Sequence, residues 1–137
     1  ARAQHVEEKV LPALQAGKVV LSDRYVDSSI AYQAYGRGLG DMVAQVNAIA
    51  TGGLVPDLTV FLDLPPAVGM ARKQQEENHE LDRLEQEKLE FHQKVYEGYD
   101  ALCKKEPERI CRIDASGTIE EVFGQIKAAL DELLDRA

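Results

Sequence analysis

Residues 56–64 read PDLTVFLDL, a nearly unbroken apolar run after Asp57 with no alternation of apolar and polar positions. A strand of that kind needs cover on both faces, as in a parallel sheet between layers of helix. Pro65 and Pro66 end the run, and Pro66 suits the first turn of a helix continuing through Arg72. Two shorter runs read the same way: KVVL at 18–21 and RICRID at 109–114. Helical periodicity fills the gaps between them. Val6, Val10, Leu11 and Leu14 mark a helix over 2–16 that stops at Gly17. A second helix is expected from Asp27 or Ser28, both good caps, to about residue 35, and a third over 41–51. Leu84, Phe91, Val95 and Leu102 mark a long helix. Thr118 and Glu121 form a capping box for a last one with an apolar stripe of Ile119, Val122, Phe123, Ile126, Leu130 and Leu133. Strands alternating with helices predict an α/β fold, one parallel sheet flanked by helices, in a single domain.

The chain of 137 residues carries a net charge of −8. An acidic surface disfavours general binding to nucleic acid or anionic membranes, so a phosphate ligand would have to be held by a few placed arginines. No apolar run approaches the roughly 18 residues of a membrane helix, and no signal peptide is visible. Cys103 and Cys111 are too few and too widely spaced for a zinc site, and read as reduced thiols of a cytoplasmic protein. Three strands make a thin parallel sheet, and the chain begins at Ala1 inside a helical pattern with no cap. Both features predict an incomplete, N-terminally truncated domain.

In an open parallel sheet the ligand sits outside the carboxyl ends of the strands. Asp23 and Arg24 follow the 18–21 run and should point into that crevice. Arginine offers a planar fork for phosphate oxygens, and aspartate can hold magnesium through water. A plain Asp–Arg surface pair is the bland alternative. Ser29, Tyr32 and Gln33 follow at i, i+3 and i+4 and share a face of the next helix. The Gln33 amide both donates and accepts, as a pyrimidine edge with one N–H and one carbonyl requires. A merely solvated polar face is the other reading. His5, His79 and His92 are scattered, Glu85, Glu87 and Glu90 suit a solvated face, Asp63 ends a strand, and Tyr96 and Tyr99 suit core or helix packing.

DRYVDSSIAYQAYGRGLG at 23–40, followed by PDLTVFLDL and ELDRLEQE, and bracketed by ARAQHVEEKVLPAL and RIDASGTIEEV, resembles the bacterial thymidylate kinases over nearly the whole chain. The resemblance implies a P-loop kinase fold, a cytoplasmic homodimer, and magnesium-dependent transfer of the terminal phosphoryl group of ATP to thymidine monophosphate (dTMP). It implies that Arg24 contacts the acceptor phosphate and that Asp23 helps place magnesium. Ser29 and Gln33 would read the thymine edge, Tyr32 would lie against the deoxyribose, and Arg2 would reach the base. Arg72 and Arg83 would flank a lid over ATP at about 73–83, with Arg83 a candidate catalytic group. Phosphoryl transfer is largely positioning and charge neutralisation, so a closing lid that carries arginine makes physical sense.

The chain departs from the family in having no GxxxxGK[ST] loop. The nearest match, Gly17-Lys18, has Pro12 where the first glycine belongs and Val19 where a hydroxyl belongs. GRGLG at 36–40 is not a dinucleotide fingerprint, since Asp41 stands at its third glycine. Ala34 stands where a glycine often follows the glutamine, and the lid is poor in arginine. These departures predict a chain that is poorly stable and inactive alone, with a gap or a forced pairing between the 18–21 and 58–64 strands. Two other readings stay open: a different nucleoside or nucleotide kinase, and a non-catalytic nucleotide-binding module.

Overall fold

A computed structural model of the protein describes residues 1–77 and 83–136. Helix α1 covers residues 2–15, with α-helical ends, Arg2–His5 and Leu11–Gln15, around a π-helical middle, Val6–Val10. Helix α2 covers residues 26–36, an α-helical turn, Val26–Ser29, that widens into a π-helical stretch, Ile30–Gly36. Then follow α3 (Met42–Thr51), β1 (Thr59–Asp63), α4 (Pro66–Glu77), α5 (Arg83–Lys105), β2 (Ile110–Asp114) and α6 (Ile119–Arg136). The two strands pair in parallel, with Thr59 opposite Ile110 and Asp63 opposite Asp114. The expected capping box is present: the Glu121 amide donates to Thr118 Oγ1 at 3.1 Å, and the Thr118 amide donates to Glu121 Oε2 at 3.2 Å.

Three expectations are corrected. The 18–21 run is not a strand. Val19 is 76% exposed and Leu21 85% exposed, and among the described residues the only ladder joins β1 to β2. Strand preference in such residues expresses fit to a pleated, half-covered surface, and here nothing pairs with the run or covers it. The 18–21 run and β1 are therefore apart rather than forced together. Neither Asp27 nor Ser28 caps α2: the helix begins after Tyr25 with no side-chain cap, and the Asp27 carboxylate turns inward. The stripe on α6 is only partly covered, with Ile119 84% and Phe123 63% exposed. Of the polar segment expected at 73–83, residues up to 77 continue α4, and 78–82, with His79, lie outside the described residues.

The core lies where α5 meets α2 and the sheet. Leu102, Cys103 and Ile110 form its centre, with Ile30 and Phe61 against them. Phe61 stacks on Tyr99 with centroids 5.0 Å apart, and Tyr32 meets Tyr99 edge-on at 6.5 Å and Phe91 at 6.1 Å. Close approach of α2 and α5 requires Gly98, since a Cβ there would stand 3.0 Å from the Ala31 backbone. Tyr96 donates to Asp63 Oδ1 at 2.7 Å, and Arg112 reaches both Asp63 and Asp100, which ties β1 and β2 to α5.

One polar network crosses this core. Arg109 donates from Nη1 to Asp27 Oδ2 at 2.8 Å and from Nη2 to Asp27 Oδ1 at 2.9 Å. It also donates to Thr59 Oγ1 at 3.0 Å and, from Nε and Nη2, to Glu106. Asp27 is only 8% exposed. Hydrogen bonding to Asp27 first, and to Glu106 second, raises the pKa of Arg109 further above its already high value. Breaking one partner out of such a buried pair costs about 3–5 kcal/mol, because the other charge is stranded. Arg109→Met should therefore lower unfolding stability by about that amount in urea titrations; an unchanged midpoint and slope would show that the pair does not hold α2.

The same network gives a pH signature. Hydrogen bonding to Arg109 lowers the Glu106 pKa, with burial opposing it. A depressed carboxyl adds stability that is complete above its unfolded-state pKa and fades as pH falls through the folded value. The stability gap between wild type and Glu106→Gln should be widest near neutrality and close below about pH 4. A gap of constant size across that range would mean that Glu106 contributes no charge effect.

Candidate functional site

Of the residues singled out in the sequence, Arg2, Arg24, Ser29 and Tyr32 come together where the start of α1 meets α2. Arg2 Nη1 carries two N–H groups. One points to Ser29 Oγ and one to Asn47 Oδ1, each at 2.6 Å. The Arg2 guanidinium lies over the Tyr25 ring, 5.4 Å from its centroid, and the Tyr25 hydroxyl donates to the Leu54 carbonyl at 3.2 Å. Arg24 lies over the Tyr32 ring at 5.2 Å. Two guanidinium groups thus rest on two aromatic faces, on either side of Ser29 in the chain.

Arg24 has a left-handed backbone, φ 66°, a conformation that costs a non-glycine residue about 1–3 kcal/mol and clusters at functional sites. Ser22 Oγ supports it by donating to the Arg24 carbonyl at 2.9 Å. The turn bends the exposed side chain back along α2 onto Tyr32. The Tyr32 ring is in turn wedged by Tyr99 and Phe91. Ser28 and Tyr99 share a hydrogen bond at 2.7 Å, and burial raises the Tyr99 pKa so that it stays a neutral phenol.

Asp27, three residues after Arg24, is bound to Thr59 and Arg109, which stand at the amino ends of β1 and β2. One spacing differs from the sequence expectation. The one-face spacing of Ser29, Tyr32 and Gln33 assumed α-helical turns. From Ile30 onward the turns are π-helical, which brings the position above Ser29 closer to Gln33 than to Tyr32. Gln33 is exposed.

Other expected residues lie elsewhere or outside the description. Asp23 is exposed beside Arg24, and among the described residues no three His, Cys, Asp or Glu side chains gather as a metal site. Arg72 donates to the carbonyls of Ala115 at 3.2 Å and Ser116 at 2.7 Å, past the carboxyl end of β2. It borders a shallow apolar cavity of about 390 Å³ with Val122, Phe123 and Ile126. Arg83 begins α5, and its side chain lies outside the described residues. Sequence reasoning missed Asn47, Tyr25 and the Asp27–Arg109 pair. An asparagine inside the apolar pattern VAQVNAIA was the available signal for the first. For the pair there was none, since its partners are 82 positions apart.

No helix among the described residues is long and apolar enough to cross a membrane. A family model described as thymidylate kinase matches residues 1–126. The chain is 56% identical over 126 residues to a protein of Latilactobacillus sakei subsp. sakei (strain 23K) named thymidylate kinase, covering 91% of this chain and 59% of that one. It is 50% identical over 137 residues to a thymidylate kinase of Synechococcus sp. (strain JA-2-3B'a(2-13)), covering 99% of this chain and 64% of that one. The chain thus spans about three fifths of the length of these curated relatives. With the family model covering most of its residues and half or more of the aligned positions identical, the chain belongs to the thymidylate kinase family.

Proposed function

We propose that this chain supplies the acceptor-nucleotide site of a kinase that transfers the terminal phosphoryl group of ATP to dTMP, giving dTDP and ADP. The observation that carries the reading is the pair of arginines laid on the Tyr25 and Tyr32 rings, one of them also bonded to Ser29 of α2. The Arg24–Tyr32 contact is exposed and worth about 0.5–1 kcal/mol, whereas a hydrogen bond to a charged partner is worth about 1.5–3 kcal/mol. An arriving phosphate therefore outcompetes the ring for Arg24. The strained turn keeps that guanidinium near the site in the meantime.

Ser29 and Gln33 then face the thymine edge, with Arg2 beside them, and Tyr32 packs against the sugar. Asp23, a single exposed carboxylate, suits an outer-sphere contact to a hydrated magnesium ion, which would neutralise charge on the phosphates. Arg72 and Arg83 flank the lid segment. With Arg72 engaged by two backbone carbonyls, Arg83 is the lid arginine proposed to approach the transferred group. Met42, Val46 and Ile49, all more than half exposed at helical spacing on α3, offer the face for a homodimer. Free Cys103 and Cys111 suit a cytoplasmic location.

Calorimetric titration of dTMP into the protein tests the reading. Saturable binding is expected, weakened by Arg24→Ala about 10- to 100-fold, the equivalent of one or two charged hydrogen bonds. A folded sample that binds no dTMP, or an Arg24→Ala variant of equal affinity, would overturn it. Gln33→Leu should separately erode the preference for dTMP over its cytidine counterpart. An unchanged preference would remove Gln33 from base reading and favour a kinase of broader acceptor range.

A further inference from the structure

Helix α3 is mostly apolar, with Asn47 set among Val46, Ala48 and Ile49, and asparagine is a poor residue for a helix interior. Its amide is engaged at both ends. Nδ2 donates to the Val43 carbonyl one turn earlier at 2.8 Å, and Oδ1 accepts from Arg2 Nη1 at 2.6 Å. The first bond fixes the orientation of the amide: with the donor side spent on Val43, the acceptor side faces Arg2. The backbone at this point is held as well, since Thr51 Oγ1 donates to the Asn47 carbonyl at 2.9 Å.

Arg2 stands in the first turn of α1, where a long side chain has many rotamers to lose on ordering. One of its nitrogens bridges α3, through Asn47, and α2, through Ser29. The acceptor on α3 is neutral, so it orders the guanidinium without cancelling its charge, as a carboxylate in the same place would. The hold on Ser29 also sets where that hydroxyl stands.

We infer that Asn47 is a positioning residue of the nucleotide site, one that aligns Arg2 with Ser29 before the ligand arrives. This rests on the reading of that site given above. Ordering Arg2 in the free protein removes a cost that the ligand would otherwise meet on binding.

A double-mutant cycle on dTMP affinity in the full-length protein tests it, using wild type, Asn47→Leu, Arg2→Ala and the double variant. Asn47→Leu is expected to weaken binding about fivefold to tenfold, the loss of one hydrogen bond's ordering effect. That loss should vanish in the Arg2→Ala background. Nuclear magnetic resonance gives a second readout: separate Arg2 Nη–H signals in wild type at low temperature, averaged together in Asn47→Leu. An equal loss in both backgrounds, or unchanged affinity and unchanged Arg2 signals, overturns the inference while leaving the site reading intact. Wild type that binds no dTMP overturns the site reading and the inference together.

Discussion

Arg109 stands just before β2 with its guanidinium between two carboxylates, Asp27 on α2 and Glu106 just past α5, and with the Thr59 hydroxyl of β1 against it. Three regions that are distant in sequence, around Asp27, Thr59 and the 106–109 turn, meet at this one planar fork. A bidentate pair fixes orientation as well as distance, so it decides how α2 enters the fold and not merely that it docks. Among the described residues the sheet has only two strands, and the buried apolar set is small. With so little apolar burial to define the docking of α2, the polar network carries more of that task than it would in a larger core.

The proposed site follows from that anchoring. Asp27 is held at the amino ends of the strands, and the turn before it reverses with Ser22 bonded to the Arg24 carbonyl. Arg24 takes a left-handed backbone there. The reversal lays Arg24 on Tyr32, and Tyr32 is steadied by Tyr99 and Phe91 of α5. Arg2 reaches the same helix from α1 and is steadied from α3. Neither arginine is deeply buried: Arg2 is held by a ring and two polar atoms, and the Arg24 side chain rests on a ring. Such weak holds are readily exchanged for a phosphate or a base edge, whereas a buried ion pair like Asp27–Arg109 is not.

Much of this was legible in the residues. The unalternating run at 58–64 and the second one at 109–114 identify the two strands that form, and the Thr118–Glu121 box marks the start of α6. The 18–21 run failed because strand formation depends on a pairing partner that local sequence does not reveal. Asp27 looked like a cap because its residue type suits one, and only tertiary structure shows a partner strong enough to draw it inward. The π-helical turns of α2 left no trace in the i, i+3, i+4 pattern. Ser29, Tyr32 and Arg24 were found by type and spacing, and Arg2 by the family resemblance. Asn47 was overlooked because it lies in what reads as a packing helix.

Hydrogen exchange along the backbone, with and without saturating dTMP, tests most directly whether the nucleotide site is built on α2 and supported through the Asp27–Arg109 anchor. Amides of residues 22–36 should exchange more slowly with the nucleotide bound, with a smaller effect in the first turns of α1, while those of α6 stay unchanged. Saturable binding that leaves residues 22–36 unprotected, or protects only the 115–118 loop, would contradict the account.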